Sequence, residues 1–124
     1  MRGQREYLDY LQDILDATRK ARRFVANMAY DEFAADDKTL FAVVRALEVI
    51  GEATKKVPHS VRARYPTVPW RDMAGIRDKL IHEYYGVNLQ VVWRTLQEDL
   101  PPLEAGIQQV IEGIVADQAK RSHE

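Results

Sequence analysis

The sequence predicts an all-α protein, an antiparallel bundle of about five helices. Apolar residues recur at spacings of three and four along most of the 124 residues, which is the pattern of amphipathic helices. No segment alternates apolar and polar residues over the length of a strand. The breaks between periodic segments are short, and short connections favour antiparallel helical neighbours.

The first two predicted helices have the clearest apolar faces. The first helix carries a broad stripe made of Leu8, Leu11, Leu15, Thr18, Phe24, Val25 and Met28. The pattern breaks near residues 30–37, where Asp36 or Asp37 offers a carboxylate to cap the second helix. The second helix places Leu40, Val43, Val44, Leu47 and Ile50 on one face. Gly51 costs helix stability there, so we expect a neighbouring helix to approach it closely.

Prolines mark the later boundaries. Pro58 ends the second helix, and a short connecting turn is expected over residues 59–65. Pro69 suits the first turn of a third helix. That helix carries Met73, Ile76, Leu80 and Ile81 and fades near Gly86. Asn88 can cap a fourth helix, and Pro101 and Pro102 are expected to break it before a fifth.

Length and composition predict one globular domain over residues 1–124. Apolar residues make up 46% and charged residues 30% of the chain, so it has enough apolar surface for a core. The absence of cysteine excludes disulfides and thiolate metal sites, and we expect no metal or cofactor. Residues 1–6 are not followed by the apolar stretch of a secretory signal. Apolar runs such as residues 40–44 are too short to span a membrane, and a cytoplasmic protein is expected.

The formal net charge of −1 gives no nucleic-acid signal by itself. Two local basic clusters stand out, the first at Arg19, Lys20, Arg22 and Arg23 and the second at Lys55, Lys56, Arg62 and Arg64. Charge clusters of this kind are usually solvated helix faces, and we favour that interpretation.

The densest polar cluster lies in the third predicted helix, over residues 77–85. His82 has the side chain that exchanges protons near neutral pH. Arg77 has a planar guanidinium that suits a phosphate. Together they can perform phosphodiester chemistry without a metal, because the imidazole moves a proton and the guanidinium stabilises charge on phosphorus.

Helix geometry constrains how these groups meet. If the third helix is regular, Asp78 and His82 face the same side, so that Asp78 can orient the imidazole. Arg77 and Tyr84 also align, whereas Arg77 and His82 diverge by roughly 140°. Either the helix distorts near His82, or a second copy of the chain completes the site. We favour the second, a two-fold homodimer.

A purely structural interpretation of the same residues is also open. The pairs Asp78–His82 and Lys79–Glu83 are spaced to stabilise a helix. Tyr84 can be a core or interface aromatic residue.

The spacing Arg77, four residues, His82, one residue, Tyr84 resembles the RX4HXY motif of the HepT toxins of the HEPN superfamily. The surrounding residues 69–85 and the upstream segment 47–53 (LEVIGEA) also resemble that family, and the similarity extends roughly from residue 7 to residue 114. The resemblance implies a HEPN-like helical fold and a homodimer whose composite cleft holds two copies of the motif. It also implies a metal-independent ribonuclease acting on transfer RNA or messenger RNA.

The resemblance also implies roles for individual residues. His82 would be the acid or base, Arg77 would bind the scissile phosphate, and Asp78 would support the site. HepT-like toxins pair with a MntA-like minimal nucleotidyltransferase, an antitoxin that transfers AMP to the motif tyrosine, here Tyr84. The chain would then be the toxin of a type II-like toxin–antitoxin system. Two alternatives are a non-catalytic helical partner that positions substrate for a nucleotidyltransferase and a purely structural dimer module.

Overall fold

The architecture is a bundle in which the first long helix, α1 (Arg2–Phe24), packs against α3 (Asp37–Lys55) and α8 (Leu100–Ser122). The computed structural model describes residues 2–82 and 86–122, with the backbone alone for residues 2–6, 81 and 82. Its elements are α1 (Arg2–Phe24), α2 (Tyr30–Ala34), α3 (Asp37–Lys55), α4 (His59–Arg64), α5 (Trp70–Ala74), α6 (Ile76–Leu80), β1 (Ile81–His82), β2 (Gly86–Val87), α7 (Leu89–Arg94), a π-helical segment (Thr95–Asp99) and α8 (Leu100–Ser122).

The apolar faces predicted from the sequence meet in one core. Its fully buried side chains include, from α1, α2, α3 and α8, the residues Leu11, Ile14, Phe33, Val43, Leu47, Ile50, Leu100, Ile107 and Val110. The all-α prediction is confirmed. The number of helices was underestimated, because the described part of the chain has eight α-helices and not about five.

The predicted helix caps are confirmed at two starts. The carboxylate of Asp36 accepts hydrogen bonds from the backbone N–H of Thr39 at 3.0 Å and from its hydroxyl at 2.8 Å. These bonds hold the pKa of Asp36 below its ordinary value, because they stabilise the ionised carboxylate. Asn88 Oδ1 accepts from the backbone N–H of Val91 at 3.1 Å and caps α7 in the same way.

The predicted break at Pro101 and Pro102 was wrong. The chain stays helical from α7 through the π-helical segment into α8. Prolines lack an N–H and crowd the carbonyl four residues earlier. Here the N–H of Leu100 donates a hydrogen bond to the carbonyl of Thr95, which is the spacing of a π-helix and not of an α-helix. The wider turn of the π segment gives the two rings room, so the helix continues.

Residues 59–65 were predicted as a turn, but residues 59–64 form the short helix α4, which buries Val61. The third predicted helix is also shorter than expected. It is divided at Gly75 into α5 and α6 and ends at Leu80. Among the described residues no helix is long and apolar enough to cross a membrane.

Candidate active site

The start of α5 is fixed by a buried tryptophan. Trp70 is 6% exposed, and its indole Nε1 donates a hydrogen bond to the carbonyl of Tyr65 at 2.9 Å. One turn later Met73 is buried, and in α6 Ile76 and Leu80 are buried as well. These apolar anchors leave the opposite face of α6 in water.

Gly51 sets the distance between α3 and α6, as the sequence predicted. A Cβ atom at Gly51 would lie 3.1 Å from Cγ2 of Ile76 and 3.4 Å from the carbonyl oxygen of Met73. The first distance is tighter than most real Cβ contacts, and the second is ordinary van der Waals contact, so glycine permits this packing against Ile76. The position of Arg77, the residue after Ile76, therefore depends on a glycine in another helix.

The exposed face of α6 carries Arg77 and Asp78. The Arg77 side chain is 59% exposed, and its Nε lies 4.0 Å from the carboxylate of Glu48 on α3. An ion pair this long and this exposed contributes little to stability. The guanidinium is therefore available to an incoming phosphate.

The regular helix predicted for this segment does not continue to His82. Since α6 ends at Leu80, Asp78 and His82 are not one helical turn apart. Lys79 Nζ lies 3.9 Å from the carboxylate of Asp99 in the π-helical segment. The alignment of Arg77 with Tyr84 was predicted for a helix that continues past Leu80, where α6 ends, and Tyr84 itself lies outside the described residues.

A β-hairpin replaces the expected helical continuation. Ile81 pairs with Val87 and His82 with Gly86 in an antiparallel ladder. Gly86 has φ of 79°, a left-handed conformation that glycine adopts without steric cost. The N–H of Asn88 then donates to the carbonyl of Leu80 at 2.9 Å. The end of α6 and the start of α7 are thereby joined at the base of the hairpin.

The residues of the motif do not share one regular helix. The backbone of His82 lies in β1, two residues beyond the end of α6, so the divergence of Arg77 and His82 on one regular helix does not apply. Glu83 and Tyr84 lie outside the described residues. The structure thus brings Arg77 and Asp78 to a solvent-facing helix end that leads directly into the strand of His82.

The two basic clusters are largely engaged in structural contacts. In the first, Arg22 Nη1 donates to the carboxylate of Glu104 at 2.8 Å, and Arg19 donates to Gln108 at 2.8 Å. In the second, Arg62 donates to the carbonyl of Thr54 at 2.7 Å, and Arg64 pairs with Asp117. The interpretation of these clusters as ordinary helix surface agrees with these contacts.

Sequence reasoning missed Glu48 as the neighbour of Arg77. Glu48 lies in the segment 47–53, which resembles the corresponding segment of the HepT family. Its spacing of three residues from Gly51 could have placed it beside the helix that packs on that glycine.

Fold and site together define a small helical-bundle protein with an exposed arginine at a helix end and a histidine in the strand that follows. A family model described as "Ribonuclease HepT-like" matches residues 14–110. This chain belongs to the HepT-like family, as its motif indicated. No solved structure matches it at a significant level.

Relatives of similar length share much of the sequence. A protein of Thermococcus cleftensis named "Probable ribonuclease HepT" is 46% identical over 101 residues, which cover 82% of this chain and 92% of the relative. A protein of Methanocaldococcus jannaschii named "Putative RNase" is 41% identical over 111 residues, 90% of this chain and 92% of the relative.

Proposed function

We propose that this chain is a metal-independent ribonuclease, the toxin of a toxin–antitoxin pair acting in the cytoplasm. The observation that carries the proposal is the match to the HepT-like ribonuclease family over residues 14–110, which includes the whole motif from Arg77 to Tyr84. The solvent-facing position of Arg77, with a long ion pair as its only charged contact among the described residues, is compatible with phosphate binding.

The proposed chemistry divides between two residues. An RNA phosphate would replace the carboxylate of Glu48 beside Arg77, and the guanidinium would stabilise the charge that develops on phosphorus. His82 would take the proton from the attacking oxygen or give one to the leaving oxygen. Asp78, exposed next to Arg77, would support the site through its charge.

The proposed regulation acts on Tyr84. A MntA-like minimal nucleotidyltransferase would transfer AMP to the phenolic oxygen of Tyr84 and so neutralise the toxin. Each AMP adds negative charge and bulk where RNA phosphates must sit, and both effects oppose RNA binding. The active form would be a homodimer whose cleft combines two copies of the motif, with transfer RNA or messenger RNA as substrate.

Replacing His82 tests the catalytic proposal. We expect His82→Ala to lose cleavage of total RNA by at least about 100-fold, because a general acid–base group contributes on the order of 10²–10⁴ in rate. Cleavage is followed on gels in the presence of a chelator. The matched control is His59→Ala, since His59 is an exposed histidine on α4, and it should cut RNA like the unmodified protein.

Two results would contradict the catalytic proposal. Full cleavage by His82→Ala would exclude His82 as the proton-transfer group. No cleavage by the unmodified protein, shown by mass to be free of adenylate, would favour the non-catalytic partner of a nucleotidyltransferase.

Replacing Tyr84 tests the regulation. Tyr84→Phe removes the acceptor oxygen, so we expect no AMP adduct after incubation with ATP and the partner nucleotidyltransferase. Intact mass spectrometry measures the adduct, and Tyr65→Phe is the control for loss of a tyrosine hydroxyl elsewhere. An undiminished adduct on Tyr84→Phe would show that another residue accepts AMP.

A further inference from the structure

A pocket with aromatic walls lies beside α7. It has a volume of about 390 Å³ and is lined by Tyr30, Gln90, Trp93, Arg94, Gln97 and Glu98, which is within the range of small-ligand sites of about 300–1,000 Å³. The rings of Tyr30 and Trp93 meet edge to face, with centroids 6.0 Å apart and planes inclined by 72°. They form two walls of a corner in which a flat ring can stack on one wall and touch the other.

The aromatic walls are held firmly in place. Trp93 packs on the buried Phe33 with ring centroids 5.2 Å apart. Tyr30 begins α2, where the carboxylate of Glu32 accepts a hydrogen bond from the N–H of Ala29 at 3.0 Å and caps the helix. A rigid platform is favourable for stacking, because little side-chain freedom is lost on binding.

The two tryptophans of the chain differ in their hydrogen bonding. Trp70 Nε1 donates to the Tyr65 carbonyl. Within the described ranges, Trp93 Nε1 has no such partner, and Trp93 is only half-buried. Trp70 therefore has the contacts of a structural residue, whereas Trp93 offers both a ring surface and a donor to a ligand.

The rim of the pocket is polar and carries balanced charge. Gln90 and Gln97 supply amide donors and acceptors, and Arg94 and Glu98 have opposite charges. All four side chains are exposed. Unpaired RNA bases are recognised in this way, by stacking on aromatic or arginine planes and by hydrogen bonds to their edges.

The pocket is close to the motif along the fold. Asn88, the cap of α7, is hydrogen-bonded to Leu80 at the end of α6. Trp93 follows five residues later, about 7.5 Å along the helix axis at about 1.5 Å per residue. The helix that carries Trp93 therefore begins beside the end of the helix that carries Arg77.

We propose that the corner formed by Tyr30 and Trp93 stacks an unpaired base of the RNA substrate whose phosphate is held at Arg77. This inference rests on the proposed ribonuclease function and adds a base subsite to it. Arg94 contacts a flanking phosphate, and the glutamines contact the base edge. The subsite selects single-stranded regions, because a paired base cannot enter the corner.

A binding assay with an oligonucleotide that cannot be cleaved tests the proposed base subsite separately from catalysis. The probe is a short unstructured oligonucleotide with 2′-O-methyl groups, labelled for fluorescence anisotropy. Removing one stacking aromatic costs about 1–3 kcal/mol per base, so Tyr30→Ala should weaken binding on the order of 5- to 150-fold. Tyr30→Leu, which keeps apolar bulk for folding, should weaken it as well. Phe41→Ala is the matched control, because Phe41 is 77% exposed and does not line the pocket.

Tryptophan fluorescence reports the contact itself. The oligonucleotide should quench the tryptophan fluorescence of the unmodified protein but not that of Trp93→Phe. This variant keeps an aromatic ring against Phe33, and its only remaining tryptophan is the buried Trp70. Arg94→Gln should reduce the salt dependence of RNA binding, because Arg94 contacts a phosphate. Tyr30→Ala should leave the salt dependence unchanged, because Tyr30 contacts a base.

The contrary results separate a failure of the base subsite from a failure of the proposed ribonuclease function. Unchanged binding by both Tyr30 variants, or equal quenching in Trp93→Phe, overturns the subsite, and RNA cleavage in the same preparation leaves the proposed function intact. An unmodified, folded protein that neither binds nor cleaves RNA overturns both. Quenching of Trp93 by the nucleotidyltransferase and not by RNA overturns the subsite in favour of a protein contact.

Discussion

At the scale of single residues, Arg77 is held by one weak partner. Its Nε lies 4.0 Å from the carboxylate of Glu48, which is itself 30% exposed. An exposed pair of this kind contributes about 0–1 kcal/mol. Glu48 therefore does not lock the guanidinium, but its charge competes with any phosphate that approaches Arg77.

We expect Glu48→Gln to strengthen RNA binding by up to about 5-fold, because the variant removes a competing anion worth at most about 1 kcal/mol. Anisotropy with an uncleavable oligonucleotide measures the effect. Glu52→Gln is the control, since Glu52 lies one turn further on α3 and faces Lys55 at 3.8 Å. Weaker binding by Glu48→Gln would mean that Glu48 positions Arg77 and does not compete for it.

At the scale of elements, the contact between α3 and α6 depends on Gly51. Alanine is the better helix former by about 1 kcal/mol, but overpacking a close contact costs about 1–3 kcal/mol. The new methyl group would lie 3.1 Å from Cγ2 of Ile76, and we expect it to displace Ile76 by a few tenths of an ångström and to shift α6 with it. The steric cost should prevail.

Gly51→Ala is expected to lower the free energy of unfolding by about 1 kcal/mol and to slow RNA cleavage, because Arg77 moves with α6. Denaturant unfolding and cleavage rates measure the two effects. Gly75→Ala is the control, since a Cβ there meets only the Arg71 carbonyl at an ordinary 3.6 Å. A Gly51→Ala protein as stable and as active as the unmodified one would show that α6 tolerates the shift.

The long elements could be predicted from the sequence, and the hairpin could not. The helical period and the caps at Asp36 and Asn88 are local signals, and they located α3 and α7 correctly. The apolar residues Leu80 and Ile81 also fit a helical period. A ladder of two residues on each strand is too short to show alternation.

The sequence predicted which residues the candidate site contains, but it did not predict their contacts in three dimensions. Arg77 and Asp78 are exposed at a helix end, where a phosphate can approach the guanidinium of Arg77. Arg77 pairs with Glu48 on α3, and Lys79 pairs with Asp99 in the π-helical segment, and both partners are distant in the sequence. Tertiary packing determines such partners, and the periodicity of one segment does not reveal them.

At the scale of the whole molecule, several arginines of the described residues are engaged in contacts that join helices. Arg19 and Arg22 are tied to α8, as is Arg64, and Arg62 caps the end of α3. The proposed RNA contacts are assigned to Arg77, whose ion pair is long and exposed, and to the exposed Arg94. A second copy of the chain would double their number in one cleft, which gives the proposed homodimer a role in binding.

Mixing two inactive variants tests whether the cleft is shared. If each site takes Arg77 from one protomer and His82 from the other, a dimer of Arg77→Ala and His82→Ala chains keeps one intact site. Random exchange makes half of the dimers mixed, so about a quarter of the unmodified activity should return. Light scattering first establishes the dimer, and each variant alone at the same total concentration is the control. If mixed dimers form and no activity returns, Arg77 and His82 act within one chain, which the end of α6 at Leu80 makes geometrically possible.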